Sequence, residues 1–154
     1  MEIQQCAKAD FDQILNDIVD FWGSDRALGL HHPMFLYEFG NTAFVIKSND
    51  KVIAYLFGFF SQTDKTGYIH LIGVRKDFQG KGLGKRLYDH FTVLAKQHGC
   101  TKLKAITGAG NHASILFHKK IGMRLTGERN EEGIEVIKNY SGPGQDRVVF
   151  EKEI

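Results

Sequence analysis

Apolar and polar residues in the first quarter of the chain change spacing twice, which predicts a strand, a helix and a loop. Residues 2–6 are typical of a short strand. Residues 9–22 carry apolar side chains at helical spacing, so we expect this face in the core: Phe11, Ile14, Leu15, Ile18, Val19 and Trp22. The spacing breaks over residues 23–39, which predicts a loop with a short helix at 34–39.

Three stretches of strand-forming residues follow, separated by short polar turns. They cover residues 42–47, 52–60 and 67–74, with turns at 48–50 and 62–65. Short connections of this kind join neighbouring antiparallel strands, so the pattern predicts a meander. The middle strand is apolar on both faces, which places it centrally with helices on both sides of the sheet.

The glycine-rich segment after residue 74 leads into a second amphipathic helix. Its inward face comprises Leu83, Leu87, Phe91, Leu94 and Ala95, and Gly99 marks its end. Residues 103–107 then read as a strand. A strand, a helix and a strand in succession predict a right-handed crossover, so this strand should run parallel to the one at 67–74.

A third helix and a strand-rich tail complete the pattern. Asn111 can cap a helix that continues to Ile121, with Gly122 as its terminator. The tail predicts strands at 123–128, 133–140 and 147–154, with a turn at Ser141-Gly142-Pro143-Gly144. The fold class is therefore α/β (α+β): a mostly antiparallel sheet of six to seven strands with a parallel central pair, flanked by about four helices.

Composition restricts the partners and the compartment. The 154 residues have the length of one domain, so we expect a single domain over residues 1–154. Lys+Arg 20 against Asp+Glu 18 gives a net charge of +2, which argues against nucleic acid or a membrane surface and favours a small molecule. Cys6 and Cys100 form no metal cluster and fit a reducing compartment. The acidic N-terminus lacks a basic and apolar leader, which predicts a cytoplasmic protein.

The turn between the third strand and its helix has the chemistry of a phosphate cradle. Gly80, Gly82 and Gly84 let the backbone approach an anion closely, and the helix N-terminus adds unpaired N–H groups. Lys81, Lys85 and Arg86 surround the turn with positive charge. Neither a dinucleotide fingerprint nor a Walker A loop fits these letters. A plain strand-turn-helix junction is the alternative.

The spacing Gln79-x-x-Gly82-x-Gly84 resembles the pyrophosphate-binding signature of the GNAT N-acetyltransferase superfamily. The resemblance implies a GNAT-like fold, acetyl-CoA as cosubstrate, and transfer of its acetyl group to a primary amine. The cofactor contacts that it implies in and before the loop are Ile72, Gly73, Val74, Gln79, Gly80, Lys81, Gly82, Leu83, Gly84 and Lys85. Backbone N–H groups near Ile72–Val74 could also stabilise the oxyanion.

A second segment is similar to another signature of the same family. Asn111, Ser114 and His118 are spaced by three and four, so they share one face of the predicted helix. In the family this helix flanks the pantetheine arm, which implies cofactor contacts at Asn111, Ser114 and Phe117. His118 stands where many members have a tyrosine that protonates the leaving thiolate, so we expect it to act as the acid. A buried packing histidine is the alternative.

The loop after the first helix covers the acceptor pocket in the family. The resemblance therefore implies acceptor contacts from its chemically active side chains, which are Trp22, Asp25, Arg26, His31 and His32. A loop without function is the alternative. A metal site at the two histidines is disfavoured, because adjacent side chains diverge and no further ligand is near in sequence.

Transfer to an alkylammonium acceptor needs a base, and the strand before the cradle offers His70. A structural histidine bonded to a neighbour is the alternative. The acceptor is expected to be a small molecule or a peptide, and the sequence leaves the oligomeric state open, a homodimer included. Two other functions stay open: a CoA-binding sensor or regulatory module without turnover, and a protein that binds a nucleotide diphosphate in the glycine turn.

Overall fold

A computed structural model describes all residues from Met1 to Ile154. The helices are α1 Lys8–Asn16, α2 Ile18–Trp22, α3 Met34–Tyr37, α4 Leu83–Gln97 and α5 His112–Lys120. The strands are β1 Ile3–Gln5, β2 Ala43–Ser48, β3 Lys51–Phe60, β4 Thr66–Val74, β5 Lys102–Thr107, β6 Arg124–Thr126, β7 Glu128–Arg129, β8 Glu135–Val136 and β9 Val148–Glu153. Short 3₁₀ turns occupy Leu28–Leu30, Gly40–Thr42 and Lys76–Phe78.

Seven strands form one sheet in the order β1-β2-β3-β4-β5-β9-β6. The pairs β1/β2, β2/β3, β5/β9 and β6/β9 are antiparallel, and β4 and β5 form the parallel pair. This confirms the predicted fold class. The predicted strand at 133–140 is the poorest match, because only Glu135–Val136 is a strand and it pairs with β7 in a separate two-stranded sheet.

The predicted helix over residues 9–22 is wrong in one respect, since it is two helices that meet at Asp17. Asp17 has φ −99° and ψ 20°, outside helical geometry, and its carboxylate accepts a hydrogen bond from Arg75 at 2.9 Å. The break turns α2 relative to the expected face. Val19, predicted to be buried, is 51% exposed, and Phe21 is buried in its place.

The chain separates into two compact units. The first comprises residues 1–59 and 69–94, and its core is a cluster of aromatic and aliphatic side chains: Cys6, Phe11, Ile14, Phe21, Phe35, Ala43, Val45, Val52, Tyr55, Phe57 and Leu71. The second comprises residues 60–68 and 95–154, where Leu103, Ala105, Ile115, Met123 and Val148–Phe150 are buried. No helix combines the length and apolarity needed to cross a bilayer.

Candidate functional site

The glycine turn lies at the start of α4, as predicted. Gly80 and Gly82 have φ of +77° and +78°, and a Cβ at either position would meet no atom within 4 Å. The first helical bond of α4 is donated by Arg86 N–H to Gly82 O at 3.1 Å, so the N–H groups of Leu83, Gly84 and Lys85 precede the intrahelical ladder. Open space and N–H groups without an intrahelical acceptor therefore occur together, which is what an anion cradle requires.

Arg75 anchors the chain just before the cradle. Its side chain is 3% exposed, and its guanidinium bonds Asp17 at 2.9 Å, Asp20 at 3.1 Å and Val52 O at 2.8 Å. The same group lies 4.6 Å from the centre of the Phe21 ring. Each nitrogen of this buried guanidinium makes a hydrogen bond, so the charge fixes the end of β4 against α2 and β3.

The polar side chains of the cradle are exposed and locally engaged. Gln79 Nε2–H donates to Val74 O at 3.1 Å, which ties the turn back to β4. Lys81 Nζ lies 4.9 Å from the centre of the Phe78 ring, and Lys85 pairs with Asp89 at 2.6 Å. Arg86 donates to Met1 O at 2.7 Å. These are surface contacts worth little, so each cation can exchange them for an anionic ligand.

Behind the strand before the cradle, Gly73 makes room for a buried tyrosine. A Cβ at Gly73 would lie 2.6 Å from Tyr55 Cε1 and 2.8 Å from Cζ, closer than real Cβ contacts. Any side chain at this position would therefore displace the Tyr55 ring or the backbone of β4. Gly73 was predicted as a cofactor contact, and the structure adds this packing requirement.

The Tyr55 hydroxyl is the centre of a hydrogen-bond chain whose proton positions follow from its ends. His31 Nδ1 lies 2.8 Å from Ala27 O, which can only accept, so Nδ1 carries the proton in the neutral ring. His31 Nε2 is then the acceptor for the Tyr55 O–H at 2.7 Å. Trp22 Nε1–H donates to the same hydroxyl at 2.7 Å. Burial lowers the pKa of His31 and raises that of Tyr55, so both groups stay neutral.

The environment of His31 therefore does not fit its predicted role as an acceptor contact. The ring is 4% exposed and both nitrogens are hydrogen-bonded within the protein. A direct contact with an acceptor would require breaking this arrangement. The geometry instead makes His31 a support for Tyr55.

His70 lies half-buried on β4 in the same unit. Its Nε2 is 3.2 Å from Leu30 O, and its ring stacks on Phe35 with centroids 4.5 Å apart and planes at 13°. Because the carbonyl can only accept, neutral His70 carries its proton on Nε2 and its lone pair on Nδ1. Burial lowers the pKa of His70 below 6.5, opposed by the bond to Leu30, so the ring is neutral and basic at pH 7.

The other predicted acceptor residues lie in or beside the segment between α2 and α3. Asp25, Arg26 and His32 are exposed, and Trp22 is half-buried. Arg26 Nη1 donates to Trp22 O at 2.8 Å, which satisfies the end of α2, and His32 Nδ1 accepts from Met34 N at 3.1 Å. Their contact with an acceptor stays a prediction, and the two histidines hold no metal-type cluster.

Helix α5 belongs to the second unit and begins as predicted. The Asn111 side chain accepts from Ser114 N at 3.2 Å, and Gly122 has φ +92° just beyond the helix end. Ser114 Oγ lies 3.2 Å from His118 Nδ1, so the predicted shared face is present. Asn111, Ser114 and Phe117 are half-buried. Their contact with the cofactor stays a prediction.

The environment of His118 does not support its predicted role as an acid. The side chain is 3% exposed and its ring stacks on that of Phe150 with centroids 4.2 Å apart, and burial lowers its pKa to about 4. Nδ1 lies 2.7 Å from Ser114 O, so the neutral ring carries its single proton there and its lone pair on Nε2. A neutral ring bonded in this way packs α5 against β9, and its one N–H is donated to Ser114 O.

We expect His118→Phe to keep turnover, with a loss far below the ~100-fold that removal of a general acid gives. It should instead change the pH dependence of stability. The folded pKa of about 4 lies below the unfolded 6.5, so the unfolded chain binds the proton more tightly. Stability is fully present above pH 6.5 and falls as the pH drops toward 4, by at most about 3 kcal/mol.

Denaturant unfolding between pH 7 and 4 measures this effect. His118→Phe should show the flatter profile, and the same substitution at the exposed His112 should leave the wild-type slope in place. A large loss of turnover in a folded His118→Phe protein, with the slope unchanged, would restore the acid role.

Sequence reasoning missed two residues that shape the site. Tyr55 sits in an apolar strand with no polar neighbour to suggest a hydrogen-bonding role. Arg75 reads in the sequence as one more cation of the basic turn, although it alone among the cations there is buried. Sequence reasoning also overlooked Tyr68, a second titratable residue on β4, although burial raises the pKa of its hydroxyl to about 12. The sequence signal that could have found them is a single tyrosine within an apolar strand, and a single arginine directly after one.

The model of the Acetyltransferase (GNAT) family matches residues 11–123, close to three quarters of the chain. An L-methionine sulfoximine/L-methionine sulfone acetyltransferase of Pseudomonas aeruginosa is 34% identical over 64 residues. That match covers 42% of this chain and only 37% of the length of the relative.

Solved structures extend the likeness to the whole chain. Naa20 of Chaetomium thermophilum, in complex with a bisubstrate analogue, superposes with a TM-score of 0.79 at 15% identity, over 100% of this chain and 87% of that one. The ribosomal-protein-S18-alanine N-acetyltransferase of Escherichia coli gives 0.69 at 17% identity, over 99% and 93%. At these identities the structures show a common fold. With the family match over most of its length, the chain belongs to the acetyltransferase (GNAT) family.

Proposed function

We propose that the protein is an N-acetyltransferase that transfers the acetyl group of acetyl-CoA to a primary amine by direct attack. The observation that carries the proposal is the cradle at the start of α4. Two glycines at positive φ, open space and N–H groups without an intrahelical acceptor coincide there. A pyrophosphate fits this donor set, because it needs close backbone approach and several N–H groups. Family membership supports acetyl-CoA as the acetyl donor.

In this proposal acetyl-CoA supplies an activated thioester carbonyl, and the protein supplies position and a base. The N–H groups of Leu83, Gly84 and Lys85 hold the diphosphate, with Lys81 adding charge. Backbone N–H groups of the segment from Ile72 to Val74 are the proposed donors to the carbonyl oxygen.

His70 is the proposed general base. Its lowered pKa keeps it unprotonated at neutral pH, and the bond from Nε2–H to Leu30 O leaves the lone pair on Nδ1. An amine acceptor has a pKa of about 10 and must lose a proton to become acetylated. Nδ1 accepts that proton directly or through one water.

The acceptor is a small molecule or a peptide with a primary amine. Exposed Asp25 lies in the segment between α2 and α3 and is the proposed partner of a cationic acceptor. Support for these two classes comes from the similar proteins, whose names specify an amino-acid analogue in one case and a ribosomal protein in another.

Thiol release from acetyl-CoA across an amine panel tests the proposal. The panel should contain amino acids, methionine sulfoximine, polyamines and peptides with free N-termini, and calorimetry with CoA should accompany it. We expect CoA binding and amine-dependent thiol release. Absence of CoA binding would contradict the proposal.

A CoA-binding sensor is the second candidate, favoured by the neutral, buried His118 at the family's acid position. It predicts CoA binding with no thiol release for any amine. The same panel therefore separates the two candidates.

A further inference from the structure

The hydrogen-bond chain of Trp22, Tyr55 and His31 lies next to the proposed base, His70. Tyr55 and His31 are almost fully buried, with every polar atom of the chain partnered. Buried polar chains are retained at a cost in desolvation, so their contacts with neighbouring groups identify what they hold in place.

The hydrogen-bond chain is connected to His70 through the turn that contains Leu30. Ala27 O accepts two hydrogen bonds, from His31 Nδ1–H at 2.8 Å and from Leu30 N–H at 3.0 Å. His31 N–H closes the turn on Leu28 O at 3.1 Å. The His31 ring thus pins the 3₁₀ turn Leu28–Leu30 to Tyr55 on β3.

Pinning this turn fixes the Leu30 carbonyl, and that carbonyl holds His70. Leu30 is exposed on its outer side, so the turn has little apolar packing of its own. The His31 ring bonds both Ala27 O and the Tyr55 hydroxyl, so it links this turn to β3.

We propose that Tyr55 and His31 are positioning residues for the proposed base: through the Leu30 carbonyl they fix the ring of His70 with Nδ1 as its proton-accepting atom. The inference rests on the proposed function, in which His70 takes the acceptor proton. Gly73 is part of the same arrangement, because its lack of a side chain leaves room for the Tyr55 ring.

The groups around His70 predict the sign of the effect. Leu30 O raises the pKa of His70, burial lowers it, and the titratable neighbour is neutral His31. Releasing the Leu30 carbonyl removes the raising contribution, so the pKa of His70 should fall further. Activity should fall as well, because a base that is correctly charged but misplaced transfers protons poorly.

Tyr55→Phe tests the inference by removing the hydroxyl while keeping the ring against Gly73. We expect kcat to fall by about tenfold or more, with KM for acetyl-CoA within about twofold of wild type. An NMR titration of His70 should show its pKa lowered by about half a unit or more. Tyr37→Phe removes the hydroxyl of an exposed tyrosine and should change neither quantity.

Tyr55→Phe leaves His31 Nε2 without a donor and Trp22 Nε1–H without its acceptor, which can destabilise the fold. The double variant Tyr55→Phe/His31→Leu also removes the buried imidazole, so only the N–H of half-buried Trp22 loses its partner, which costs less than orphaning both groups. It should reproduce the loss of kcat and the lowered His70 pKa. An unchanged kcat or an unchanged His70 pKa in a folded variant overturns the inference.

The two proposals fail separately. If His70→Gln is inactive while both Tyr55 variants match wild type, the base stands and the positioning role is overturned. If no amine supports thiol release by the wild-type protein, the proposed function fails. The NMR titration needs no acetyl-CoA and still decides whether this network holds the ring of His70.

Discussion

Gly82→Val should weaken binding of CoA by ~100-fold or more, about 2.7 kcal/mol, while most of the fold stays intact. Gly82 has φ +78°, which a β-branched residue adopts only with strain of about 1–3 kcal/mol. The open space around it would admit a side chain, so the fold tolerates the change. That space and the N–H groups behind it are what the diphosphate needs, and a valine takes the space and turns the N–H groups away.

Gly133→Val is a matched control for this prediction. Gly133 has φ +79°, and a Cβ there would likewise meet no atom within 4 Å, but it lies in the loop between β7 and β8. Both variants should lose similar stability in thermal unfolding, because they carry the same backbone strain. Calorimetry should show weakened CoA binding for Gly82→Val alone. Equal CoA affinity in a folded Gly82→Val protein would remove the cradle assignment.

The sequence predicted local features well, because spacing alone decides them. The three-and-four spacing of Asn111, Ser114 and His118 put them on one face of α5, and the contacts there confirm it. The glycine turn was predicted in the same way. In each case the residues that matter lie within a few positions of one another.

Features that depend on distant partners could not be predicted. The apolar periodicity of residues 9–22 gave no sign of the break at Asp17, whose carboxylate bonds Arg75, 58 residues further along. His31 was predicted to contact the acceptor from a loop, yet its ring points inward and bonds Tyr55, 24 residues away. His118 looked like an acid, yet Phe150 covers it. Burial changes the chemistry of a histidine, and burial is set by the whole fold.

His70→Gln should lower turnover at neutral pH by ~100-fold or more, the usual contribution of a general base. Glutamine keeps an N–H that can donate to Leu30 O and keeps a flat polar group against Phe35, so the surrounding contacts suffer little. It has no lone pair that accepts a proton near neutral pH. CoA affinity should be unchanged, because the cradle is formed by other residues, and kcat and kcat/KM should therefore fall together.

The pH profile gives the sharper test of His70. Burial lowers its pKa below 6.5, so wild-type activity should hold at neutral pH and fall as the pH drops through that lowered pKa. His70→Gln should lose this acidic limb, since no group that must be unprotonated remains. His98→Gln, which changes an exposed histidine stacked on Phe60, should keep both the limb and the turnover. An acidic limb that survives in His70→Gln would assign the base to another residue and leave His70 as a support for Leu30 and Phe35.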